Sequence, residues 1–115
     1  MPSVQSPVSD MLVTVKSREV QRAQAAEMAG RRTEAERHFL AAAHLELVLA
    51  GDYEDAGSPE LARRSRISAA SCLWRGGRIG DAELIFDQLK AAEPSQSRLI
   101  QDVIGDLKQT SSGAA

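Results

Sequence analysis

The chain has 115 residues, 43% hydrophobic and 26% charged, enough apolar surface for one core and too short for a second domain. A formal net charge of −2 argues against a broad phosphate-binding surface, and an aromatic content of 3% points to a core of small and aliphatic side chains. Cys72 is the single cysteine, which excludes an intramolecular disulfide and suits a reducing compartment.

The opening MPSVQSPVSD lacks the charged and apolar regions of a signal peptide, and no stretch approaches the length of a membrane span. The reading is a cytoplasmic protein with no membrane partner. Residues 1–9, rich in serine and proline, read as a flexible tail, as do residues 110–115, and a single helical domain is expected over 10–109. Ser9 or Asp10 can cap a first helix that ends near Ala29, with Gly30 as its left-handed stop, while the alternating, β-branched Met11 to Val15 also permits a frayed or extended start before Ser17. Thr33 can cap a second helix, where Ala35, Phe39, Ala42 and Leu49 share one face. Leu45, Leu47, Val48 and Leu49 are apolar nearly all round, so cover from several sides is expected there. Gly51 and Gly57 bracket an acidic stretch, Asp52 to Asp55, that reads as a loop.

Ser58, Pro59 and Glu60 form a strong start for a third helix reaching Arg75, with Leu61, Ala69, Cys72 and Leu73 as its buried stripe. Gly76 and Gly77 break it. A fourth helix, Gly80 to Ala92, directs Ala82, Leu84, Ile85, Phe86 and Leu89 inward and stops before Pro94. Ser95 or Ser97 then opens a fifth, with Leu99, Ile100, Val103, Ile104 and Leu107 on one narrow stripe. The fold class is all-α.

Two segments share a register. Gly30 is followed by Ala35, Phe39 and Ala42, and Gly77 is followed at the same offsets by Ala82, Phe86 and Leu89. Glycine permits the turn, alanine lets the helices approach, and phenylalanine fills the wedge between neighbours. This pattern resembles the tetratricopeptide repeat, best over Ser68 to Pro94 and also over Ser17 to Ala43. Glu19 and Arg66 stand where that family carries its signature tryptophan, and the two glycines lie further apart than the roughly 34 residues of a standard repeat.

The resemblance implies two antiparallel helical hairpins and a C-terminal capping helix in a right-handed α-α superhelix. It also implies a concave groove lined by Val20, Gln24, Glu27 and Met28 from the first hairpin, and by Arg64, Ile67, Ser71, Trp74 and Arg75 from the second. Such a groove holds a partner helix or an extended peptide. The family's carboxylate-clamping groove uses lysines and asparagines where this chain has Val20, Gln24, Ile67 and Ser71.

Trp74 has two readings, a binding hot spot beside Arg75 or a cap on the core. Arg63, Arg64, Arg66, Arg75 and Arg78 read as a solvated face pairing with Asp52, Glu54 and Asp55, the alternative being an anion-binding or nucleic-acid surface. His38 and His44 lack the spacing of a shared metal, Glu34 and His38 read as a surface pair, and Cys72 as a packed thiol. No catalytic residue, metal or cofactor is expected. The functional expectation is a protein-interaction module, adapter or chaperone-like, with another protein or a second copy as partner. The alternative is a helical-bundle enzyme or ligand carrier, with Glu27, His38, Glu46 or Cys72 lining a pocket.

Overall fold

The computed structural model describes residues 7–113, which form five α-helices and one short 3-10 turn. They are α1 (Pro7–Met28), α2 (Arg32–Asp55), α3 (Pro59–Arg75), α4 (Ile79–Ala92) and α5 (Ser97–Gly113), with the turn at Pro94–Gln96. Residues 1–6 and 114–115 of the expected tails lie outside the described residues. All-α is what the described residues show.

Boundaries of three helices differ from expectation. α1 opens at Pro7, inside the segment read as tail, because proline is tolerated in a first turn and Ser9 is buried there, donating to Asp52 Oδ2 at 3.4 Å. α2 starts at Arg32, not after Thr33, and runs through Gly51 and the acidic stretch to Asp55. The cause is Tyr53, which packs on Leu49 and Ala62; burying an aromatic side chain gives roughly 1.5–3 kcal/mol, against about 1 kcal/mol lost by a glycine in a helix. α5 continues past Thr110, whose hydroxyl donates back to the Asp106 carbonyl at 2.9 Å.

The first three helices end in one way. Gly30, Gly57 and Gly77 all have positive φ, at 74°, 78° and 86°. In each turn the next residue's N–H reaches back to the helix: Arg31 to Ala26 at 2.8 Å, Ser58 to Tyr53 at 2.9 Å, Arg78 to Leu73 at 2.8 Å. This is the Schellman arrangement, in which a left-handed glycine lets the last carbonyls find donors. Gly57, expected only to bound a loop, thus has the same role as the two glycines of the shared pattern.

Antiparallel packing follows from these reversals. α1 lies on α2, α2 on α3, α3 on α4, and α5 on α3 and α4. Ala23, Ala26, Ala35 and Phe39 form one buried cluster; Ala70, Leu73, Ala82 and Phe86, at matching positions, belong to another, with Trp74, Ile100 and Leu107. The two phenylalanines therefore sit in corresponding settings. The Cα envelope measures 48 × 32 × 17 Å, a slab so thin that many helix faces meet solvent. Leu84 and Leu99, expected inside, are exposed for that reason, as are Leu47 and Val48, which lack the expected cover.

Alanine at Gly30, Gly57 or Gly77 is expected to cost about 1–2 kcal/mol each in urea denaturation, since a Cβ disfavours the left-handed region. Gly77→Ala should cost most, because its added Cβ would stand 3.1 Å from Glu36 Oε2 while the other two meet open space.

Candidate functional site

α1 and α3 both lie against α2 without close backbone approach to each other, and their side chains meet over it. The residues at this seam follow from helical spacing. On α2 the residues Phe39, Glu46 and Tyr53 recur at i, i+7 and i+14. Phe39 packs on Ala23 and Ala26 of α1 and on Cys72 of α3; Tyr53 clusters with Ala62 of α3 and with Leu12 and Val13 of α1. Between the two aromatic ends lies a polar centre.

That centre is Glu46, only 5% exposed. Lys16 Nζ of α1 lies 3.8 Å from its Oε2, and the hydroxyls of Ser65 and Ser68 on α3 donate to the carboxylate. Burial pushes the Glu46 carboxyl above its ordinary range, and Lys16 and the two serines hold it down only in part. The neighbouring Cys72 thiol is pushed up to about 11, first by burial and then by the Glu46 carboxylate. Cys72 is therefore a protonated, packed thiol near neutral pH.

The nine expected groove residues divide. Val20 and Gln24 on α1, and Arg64 and Ser71 on α3, are half-buried or exposed. Glu27 Oε1 meets Arg75 Nη2 at 3.1 Å, a bridge that ties α1 to α3, while the Arg75 guanidinium lies 4.5 Å from the Phe39 ring centroid. Met28 is exposed beside the first turn. Ile67 leans instead on the cluster around Trp74 and Phe86, and Trp74 itself is 6% exposed within that cluster. Trp74 is thus a core residue and not part of an open wall, because α4 and α5 cover the face of α3 that carries it.

The arginine cluster resolves into pairs. Arg63 bonds Glu93 at 2.8 Å, Arg66 bonds Glu54 at 2.5 Å, Arg75 bonds Glu27, and Arg78 meets Asp81 at 2.7 Å. Only Glu54 comes from the acidic stretch expected to supply the partners. Arg64 stands outside these pairs. His38 Nδ1 lies 2.6 Å from Glu19 Oε2, whereas Glu34 pairs with Arg31, so the expected Glu34–His38 pair is not formed. On that side Arg22, Ala25, Ala26, Arg31, Glu34 and His38 line an open dent of about 400 Å³. Of the four groups considered for an enzyme pocket, Glu46 and Cys72 are neighbours, while Glu27 and His38 are held elsewhere by Arg75 and Glu19.

Lys16, Ser65 and Ser68 were not legible as site residues. The signal that existed was Glu46, a carboxylate between Phe39, Ala42, Leu49 and Tyr53 on an otherwise apolar helix face.

Because the folded state holds the Glu46 proton more tightly than the unfolded chain does, this group costs nothing below the ordinary carboxylate range. Its penalty grows as pH rises through the raised folded value. Glu46→Gln is expected to raise the urea midpoint at neutral pH and flatten its fall as pH rises from the ordinary carboxylate range; a loss of more than about 1 kcal/mol instead would show that the Lys16 pair outweighs the burial cost. Cys72 should react with a disulfide reagent at least ~100-fold more slowly at pH 8 than a free thiol, and faster in Glu46→Gln. No family model, no curated protein and no solved structure matches this chain.

Proposed function

We propose that the chain is a protein-interaction module, adapter or chaperone-like, that takes a partner helix or extended peptide along the seam between α1 and α3. The observation that supports this reading is the placement of α1 and α3, two helices side by side on a common support, with Val20, Gln24, Arg64 and Ser71 half-buried or exposed along them. Extended or helical peptides suit such a surface because they lie along it with side chains at regular spacing. The repeated glycine, alanine and phenylalanine positions, with matching turns and matching burial, support a tetratricopeptide-like stacking of the two hairpins.

The binding contribution is expected from these four residues and not from Trp74. Among the described residues Arg64 forms no ion pair, so it can meet a polar or anionic group of the partner without first breaking one.

A photo-reactive side chain placed at Gln24 or at Ser71 should yield discrete cross-linked products in a cell extract. Unlabelled wild-type chain should compete these products away, whereas a Val20→Glu/Arg64→Glu chain should not. Equal yield from a label at the exposed Gln88, on α4, would count against the seam as the binding surface.

A further inference from the structure

The α1/α2 hairpin carries a second surface, away from the α1/α3 seam. Val8, Met11 and Val15 recur at i, i+3 and i+7 along one edge of α1, and Val8 and Met11 are 60% and 63% exposed. The Ser9–Asp52 hydrogen bond and the Lys16–Glu46 pair set the antiparallel register of α1 on α2. That register puts Val48, 52% exposed, level with the interval between Met11 and Val15. Large apolar side chains clustered on a water-facing edge mark an interaction surface more often than chance does.

The charges around this edge are arranged by sign. Arg18 follows Val15 on the same edge of α1, and Asp55 closes α2 level with the start of α1. Neither belongs to any ion pair among the described residues. Along the hairpin the order is therefore negative charge, Val8, Met11, Val15, positive charge. By that register Val8 and Val15 lie on either side of Met11, with Asp55 and Arg18 beyond them at opposite ends. A surface so ordered is complementary to itself when turned end for end, which is the requirement for an isologous twofold contact.

We propose that this edge of the hairpin docks a second copy of the same chain, antiparallel about a twofold axis near Met11. Met11 meets its own counterpart, each Val8 packs on the other copy's Val15, and each Arg18 faces the other copy's Asp55. An unrelated partner would need neither the matched spacing of the two valines nor opposite signs at the two ends. The apolar stripe is short, so the dimer is a weak, concentration-dependent one and not a permanent assembly. Because this edge and the α1/α3 seam are separate surfaces, the dimer stands or falls independently of the function proposed above.

Sedimentation velocity of the full chain over roughly 5–500 µM at low salt should show a monomer–dimer equilibrium. Met11→Glu should weaken it at least ~30-fold, with Val48→Asp as a second variant and circular dichroism confirming that each remains helical. Arg18→Asp and Asp55→Arg should each weaken it about 5- to 10-fold, and the double reversal should return it to within about threefold of wild type. Restoration is the discriminating result, since only a contact between copies in which residue 18 meets residue 55 predicts it. A chain that stays monomeric throughout, a dimer indifferent to both apolar substitutions, or a double reversal no better than the single ones would overturn the proposal.

Discussion

How closely two helices approach is limited by the side chains where they cross, and in this chain those side chains are mostly alanine. Ala23, Ala35, Ala42, Ala43, Ala50, Ala69, Ala70 and Ala82 are all shut away from solvent, leaving the larger core groups, Phe39, Phe86, Leu49 and Ile100, to fill the wedges left between helices. Close approach in turn requires tight reversals, and the three left-handed glycines make them without a Cβ penalty. Alanine crossings and glycine turns are thus one constraint seen at two places.

Thinness is its consequence. A slab 17 Å across in its shortest dimension cannot enclose every apolar face of five helices, so Val8, Met11, Val48, Leu84 and Leu99 remain in contact with water. The same geometry leaves room in the centre of the α1, α2 and α3 junction for a carboxylate. Glu46 sits there with Lys16, Ser65 and Ser68 around it. An apolar face of alanines can slide by a turn with little loss, whereas a buried carboxylate can be satisfied in only one alignment.

Most of the helix plan was readable because its signals are local. Ser58 and Pro59 at the head of α3, Pro94 after α4, and Gly30 and Gly77 at the turns act through backbone geometry, which depends on neighbours in the chain. The stripe Ala35, Phe39, Ala42 and Leu49 was readable for the same reason, since helical spacing alone places these residues on one face. The end of α2 was not. Gly51 and the acidic stretch argue locally for a loop, and only the pocket formed by Leu49 and Ala62 makes the helical position of Tyr53 worth more. The candidate site was half readable: Glu27 and Arg75 were both expected on one surface, but their bridge, the burial of Trp74 and the approach of Lys16 to Glu46 join residues far apart in sequence.

By itself, then, the sequence determined an all-helical chain, its turns, the repeated Gly-Ala-Phe register and the absence of a disulfide, because each rests on spacing or composition. Tertiary structure alone decided which side of each amphipathic helix is covered. It turned Trp74 inward, left Val8 and Met11 outside, and chose Glu93, Glu54 and Glu27 as the partners of three arginines. The physical reason is that burial and ion pairing depend on what a neighbouring helix places opposite a residue, and with α1 and α3 both seated on α2, that neighbour is fixed by the whole packing order and not by any single segment.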